Sequence, residues 1–429
     1  MAYVVVGVAS EGVDSSGRDA TQLPRAMHTP MKERARVSVG LTSGDITGAD
    51  NRALQAAVDY VASLEGGVVE IGPGEYLMRD SLHLRSNVTV RGTPEKTVLR
   101  KARSAASPLK VDGDYGEEQF TVKNPAGFSV GDGVAIWDKN ANGFHTTVAR
   151  IIGQNGDTFA ISLPLNADCM VGDGAQAATV FAVISGYHIE GARIEDVTID
   201  GNKDENINLN GCRGGGIFLY RCPGAAIERC TVRNYNGDGI SFQQCNDVSV
   251  LACTSEGNSG LGLHPGSGSQ RPKVRQCIAR KNGEDGLFLC WRVKQGVFEQ
   301  NILEDNGRFG ISIGHKDTDN LLRNNQVRGN HEDGICFRNE SEGMAGHRNR
   351  LEDNLIENNG LKKDAAGIRV RGETRDLVFK NNTIRDTRTG ADRKQTTGIR
   401  LEEKVGTVTL EGNQIEAANV MNDERKANR

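Results

Sequence analysis

The chain lacks any run of about 18 apolar residues, the length that marks a bilayer-spanning helix, so no membrane-spanning helix is expected. Proline is scarce, 10 in 429 residues, which at ordinary hydrophobicity argues against collagen-like and Pro-rich disordered chains. The nine cysteines are odd in number and form no CxxC pair; they read as buried thiols rather than disulfides or a metal site. A large excess of either charge is missing too. The 52 Lys and Arg face 56 Asp and Glu with no basic stripe among aromatics, so no nucleic-acid partner is expected. Met1–Ser10 lacks a basic leader segment and makes a poor signal peptide.

Glycine is abundant, at 53 residues. Many glycines with few prolines fit short strands joined by tight turns. Residues 1–44 have no clear period and read as an irregular arm. Ala53, Leu54, Ala57, Val58, Val61 and Leu64 recur at helical spacing behind Asp50, a candidate N-cap. Residues 45–104 therefore hold a capping helix and the first rungs of a repeat. Residues 105–185 break the period with strand-like runs between Gly/Asn/Asp turns and read as an inserted small antiparallel β subdomain. Residues 186–416 carry the repeat itself, and 417–429 form a polar tail expected to fray.

The repeat is marked by Gly216, Gly239, Gly260, Gly286, Gly310, Gly334, Gly367 and Gly398, at steps of 21 to 33 residues. Apolar residues follow at +1 and +3, so these positions face inward and +2 and +4 outward. A second column runs Asn87, Asp196, Cys230, Cys253, Cys277, Asn301, Asn325, Asn354, Asn382, Asn413, and a third runs Asn258, Asn282, Asn306, Asn330, Asn359. Stacked Asn amides bond one another and the turn backbone, leaving few buried polar groups unpaired. The fold class expected is all-β: a right-handed parallel β-helix solenoid.

Residues 51–58, the Gly66–Tyr76 stretch and Asn87–Gly92 resemble the opening of pectate-lyase-like (pectin lyase-like) β-helices, and the asparagine ladder is similar to theirs. The resemblance covers about residues 45–415 apart from the insertion. It implies a carbohydrate-active protein, but the fold hosts lyases, hydrolases, epimerases and viral spikes. Gly310–Gly314 and Arg369–Arg371 echo part of the polygalacturonase pattern. The Asp-Asp pair is missing, however, and Phe309 stands where that family's His would be, so that activity is not expected.

The +4 positions and the residues after them gather a candidate site. They give His264, then Trp291 and Arg292, then His315, Lys316, Asp317 and Asp319, then Arg338 and Glu340, then Arg371. Rungs stack about 4.8 Å apart, which would bring His264, His315, Lys316, Arg338 and Glu340 within about 15 Å. Outward residues of a solenoid are polar in any case. The mixture of imidazole, ammonium, guanidinium and carboxylate on adjacent rungs is what suggests chemistry.

The excess of cations points to β-elimination from a uronic-acid-containing glycan. There a cation neutralises the carboxylate and a base takes the C5 proton. His315, Lys316, Asp317, Arg338 and Glu340 are the catalytic candidates, and His264, Trp291, Arg292 and Arg371 the substrate-binding ones. Glycoside hydrolysis by a carboxylate pair, Asp317 with Glu340 or Asp285 with Asp333, is the alternative. A non-catalytic glycan-binding β-helix is the third reading. Asp238, Asp285 and Asp333 also fit turn chemistry just before the rung glycines. No cofactor is expected; Asp317 and Asp319 are the one tight carboxylate pair for calcium. The expected partner is a polysaccharide or oligosaccharide, with the protein a monomer or homotrimer. Unpaired Cys and the missing leader favour the cytoplasm, while the resemblance implies secretion.

Overall fold

The computed structural model describes residues 33–425. Expectations for residues 1–32 and 426–429, including the Met1–Ser10 leader, lie outside the described residues. Among those described, no helix is long and apolar enough to cross a membrane.

The helix forms where its spacing predicts it, at Asn51–Ser63. The Asp50 carboxylate accepts from the Arg52 backbone N–H at 2.9 Å. Its apolar stripe, Leu54, Ala57, Val58 and Val61, is buried against the strands Ala35–Gly40 and Gly67–Ile71, which covers the open end of the coil. Ala35–Gly40 corrects the irregular arm assigned to residues 1–44. Its alternating Val37 and Val39 point inward, and it pairs in parallel with Gly67–Ile71. At the other end Asn419–Asp423 pairs in parallel with Thr397–Leu401. The expected frayed tail is thus a terminal strand; backbone pairing needs no apolar side chains, and its own are exposed.

Three parallel sheets of 13, 11 and 11 strands wind around one apolar core. The 13-stranded long sheet includes Ala226–Glu228 and Ser249–Leu251. The ladder sheet includes Thr231–Arg233 and Ile278–Arg280. The glycine sheet, whose strands follow the rung glycines, includes Ile217–Tyr220, Ile240–Gln243, Leu263–Gly266, Leu287–Phe288, Ile311–Ile313, Ile335–Phe337 and Ala366–Val370.

The registers correct one rung. Leu263 pairs with both Ile240 and Leu287, so the repeat glycine there is Gly262, not Gly260. The stretch Gly260-Leu261-Gly262-Leu263 offers two registers that differ by two residues and so bury the same face. Asp238 decides between them by accepting from the Leu261 backbone N–H at 2.9 Å. His264 consequently stands beside Ser241 and against the Phe288 ring, 5.5 Å between centroids, one outward column away from Arg338.

Both asparagine ladders form. Asn301, Asn325, Asn354 and Asn382 each donate Nδ2 to the Oδ1 of the next, ending on Asn413, at 2.9 to 3.0 Å. Cys277 leads into this column through its backbone N–H, 3.0 Å from Asn301 Oδ1. Asn87 and Asp196 do not belong to it. The partner of Cys230 in register is Val197, because Thr198 pairs with Thr231, and Asn87 precedes a strand of the long sheet. The second ladder runs from Asn258 through Asn282, Asn306, Asn330 and Asn359 to Gln395. All nine cysteines are free, and all but Cys212 are buried.

The insertion is a six-stranded antiparallel sheet with its own core around Phe120, Phe128 and Phe159. It leans onto the first strands of the glycine sheet. Arg150, on its strand Thr147–Asn155, reaches Asp80 at 2.6 Å. Gly133 permits this approach, because a Cβ there would come within 2.6 Å of Asp80 Oδ1.

Candidate active site

The candidate residues fall in five places around the outward face of the glycine sheet. On the open stretch, Trp291 and His315 occupy the same corner of successive coils, 24 residues apart. Their rings stack at 4.5 Å between centroids and 6° between planes. Arg292 lies 5.9 Å from the Trp291 ring. Glu340 Oε1 stands 2.6 Å from His315 Nδ1, a contact that an N–H on Nδ1 satisfies and that leaves Nε2 as the basic nitrogen. Burial holds the His315 imidazole below its ordinary value, with Arg338 and Arg292 adding to the effect and Glu340 opposing it.

Trp291, Arg292, His315 and Lys316 all lie in the left-handed region, at φ 60, 68, 46 and 66°. His188, Arg221 and Gln244 hold the same conformation at the same corner of earlier coils, at φ 54, 53 and 52°, so the turn of the coil sets it here as well.

Arg338, part-buried, and Asp317, fully buried, lie just below. Arg338 donates to Ser312 Oγ at 2.9 Å, to the Leu289 carbonyl at 2.7 Å and to Asp317 Oδ2 at 3.0 Å, and its guanidinium lies 4.4 Å from the Phe288 ring centroid. Asp317 is fully buried and accepts from the backbone N–H groups of Val293 and Gly314. Burial pushes its carboxyl up to about 7, against the pull of Arg338. This pair is a bracket inside the wall, so the expected Asp317–Glu340 couple for hydrolysis does not meet at the surface. The Asp317–Asp319 calcium pair does not meet either, because Asp319 turns to Arg348 at 2.7 Å. Among the described residues no group of three or more His, Cys, Asp or Glu side chains is placed to hold a metal ion.

Lys316 faces another flank, lining a shallow cavity of about 370 Å³ with Lys294, His347, Arg348 and Arg375. Arg371 follows Arg338 one coil on, 3.5 Å from Glu402. His264 is buried and its Nδ1 lies 2.6 Å from Asp238 Oδ2. Burial alone would lower its pKa, but Asp238 and Cys290 outweigh that and raise it to about 10. The 206–215 loop seals this pair: Ser241 Oγ donates to the Gly211 carbonyl at 2.8 Å, and any side chain at Gly211 would run into Asp238. Asp285 and Asp333 hold turn N–H groups of Phe309 and Ala366, the turn role their position suggests.

Residues not singled out in the sequence form a further cluster under the insertion: Asp80, His83, Arg150, Ser185 and Tyr187 line a cavity of about 380 Å³.

Three kinds of similarity bear on this wall. The mannuronan C5-epimerase AlgE2 of Azotobacter vinelandii is 24% identical over 309 residues, 70% of this chain, and the chain spans 22% of that protein's length. The A-module of mannuronan C-5 epimerase AlgE4 from the same organism superposes with a TM-score of 0.57 at 15% identity, over 91% of this chain and 98% of that one. A polygalacturonase from Erwinia carotovora gives 0.52 at 13% identity, over 94% and 99%. At these identities the structural matches speak for the coil alone. The family model described as "Right handed beta helix region" matches residues 183–345 and 294–423, more than half of the chain, and with the parallel coils above it establishes that the chain belongs to the right-handed β-helix family.

Proposed function

We propose that this protein is a carbohydrate-active enzyme that acts on an anionic, uronic-acid-containing glycan along the open stretch of the glycine sheet. The observation that carries the reading is the His315 imidazole held between the Trp291 ring and the Glu340 carboxylate, beside Arg292. A sugar ring suits the exposed Trp291 edge. Arg292 supplies charge for the uronate carboxylate, which makes the C5 proton acidic, and Arg371, three coils on, can meet the charge of a neighbouring sugar of the chain. His315 Nε2 takes that proton, and Glu340 stabilises the imidazolium that forms.

Names of sequence relatives support chemistry at C5: AlgE2 is called a mannuronan C5-epimerase. Elimination and epimerisation share this proton removal and differ afterwards. Epimerisation requires a donor on the opposite face of the sugar. His315, Glu340, Trp291 and Arg292 belong to one wall, so elimination, in which the C4–O bond breaks and the leaving oxygen takes the proton from the His315 imidazolium, is the outcome we favour. Asp317 serves as the anchor of Arg338, and Lys316 stands aside from the reaction.

The test incubates purified protein with a panel of uronic-acid polymers in deuterated water. Product absorbance from the new C4–C5 double bond is expected, reduced at least about 100-fold in His315→Gln, the scale of a lost general base, and little changed in Lys316→Ala. The acid limb of its pH profile is expected below about pH 6.5, the ordinary imidazole value, because burial holds His315 low. Deuterium entering C5 without absorbance would replace elimination by epimerisation. Release of reducing ends alone would make it a hydrolase, and binding without product would refute catalysis.

A further inference from the structure

The end of the glycine sheet beneath the insertion contains an arrangement that the uronate chemistry does not use. His83 and Ser185 are facing neighbours on adjacent strands of that sheet. Ser185 Oγ lies 3.2 Å from His83 Nδ1, and His83 Nε2 lies 2.9 Å from Asp80 Oδ2. Asp80 is 2% exposed, and Arg150 Nε fixes the same carboxylate oxygen at 2.6 Å. A hydroxyl, an imidazole and an oriented buried carboxylate therefore stand in series, the nucleophile–base–orienter order of acyl-transfer sites.

The setting is concave. The roughly 380 Å³ cavity has Ser185 and His83 in its lining and Val148, Leu163, Phe181 and Ala182 as apolar walls. Val148 and Leu163 come from the insertion, so the roof and the series are built together. Its apolar walls accept a short acyl chain, beside Arg85 and Arg150 of the same lining.

We propose that Ser185, His83 and Asp80 form a serine-hydrolase relay that cleaves short acyl esters. Ser185 Oγ adds to the ester carbonyl carbon while its proton passes to His83 Nδ1. Asp80 holds the imidazole through the N–H on Nε2 and stabilises its cation. Arg150, in the same lining, provides guanidinium donors for the oxyanion. The acyl C–O bond then breaks and the alcohol departs with the proton from His83, leaving acyl-Ser185. Water adds to that ester, gives its proton to His83, and the acid leaves as Ser185 recovers a proton. The sum is ester plus water to acid plus alcohol, with no other reactant. The relay lies several coils from His315 and stands or falls independently of the uronate reading.

The test uses the full chain with 4-nitrophenyl acetate and, separately, a fluorophosphonate probe followed by peptide mass mapping. Hydrolysis above the buffer rate and a probe adduct on Ser185 are expected. Ser185→Ala should abolish both, and His83→Gln should reduce both at least about 100-fold while the thermal midpoint stays near that of the parent. Should Ser185→Ala fail to fold, the mapped adduct and His83→Gln decide. An adduct on another residue, no adduct at all, or hydrolysis that survives Ser185→Ala at the parent rate would overturn the proposal.

Discussion

The glycine sheet sets a histidine against a carboxylate under cover and again in the open. His264 meets Asp238 at 2.6 Å beneath the 206–215 loop, and His315 meets Glu340 at 2.6 Å on the bare stretch of the same face. The two contacts have the same length and opposite electrostatic results. The covered imidazole is raised to about 10, since burial, which alone would lower it, is outweighed by Asp238 and Cys290 together. The open one is lowered, because burial, joined by Arg338 and Arg292, outweighs Glu340. The neighbours beyond the shared contact, Cys290 beside one imidazole and Arg338 and Arg292 beside the other, make the first a structural ion and the second a base.

The largest break in that comparison is expected from His264→Ala. It leaves the Asp238 carboxylate buried and unpaired, a loss of about 3–5 kcal/mol, read by urea unfolding. Because the folded pKa of His264 lies above the unfolded one, its contribution is fully present below about pH 6.5 and is lost as pH rises through about 10. The parent should lose stability over that window and the variant should not. An equal slope in both would remove His264 as the source. A smaller effect is expected inside the ladder. Asn306→Leu strands Asn282 and Asn330 side-chain groups and the Ala279 carbonyl, at about 1–3 kcal/mol. A neutral result would mean that neighbouring amides re-pair across the gap.

How much of this was legible depended on how regular the coil is locally. The ladders from Cys277 onward were readable because each coil repeats a buried amide at near-constant spacing. The register at Gly262 was not, since two Gly-Leu pairs two residues apart satisfy the same inward pattern and only the Asp238 turn chooses between them. Trp291, His315 and Glu340 were placed together by coil spacing. Arg338 and Asp317 lay on the right coils, but whether a side chain points out or back beneath Phe288 is settled by packing, which periodicity does not contain. The Ser185–His83–Asp80 series was invisible for a topological reason. Ser185 and His83 are 102 residues apart, separated by the insertion that interrupts the repeat, and facing strands on either side of a long insertion carry no spacing signal.

The smallest expected effect sharpens the open side. Trp291 is 42% exposed and sits at φ 60°, a conformation that costs a non-glycine residue about 1–2 kcal/mol. Its ring returns only part of that by lying against His315. Trp291→Gly removes the strain and the stack together, so the fold should gain up to about 1 kcal/mol, measured by chemical denaturation. Binding of uronate oligomers should weaken by about 1 kcal/mol, the scale of an exposed aromatic contact, measured by calorimetry. The two signs must be opposite. If stability falls by more than about 1 kcal/mol, Trp291 is a packing residue that the coil requires. If stability rises and binding is untouched, Trp291 serves something other than a sugar. Only a gain in stability paired with a loss in affinity fits an aromatic ring kept at a left-handed turn position because the ligand needs it there.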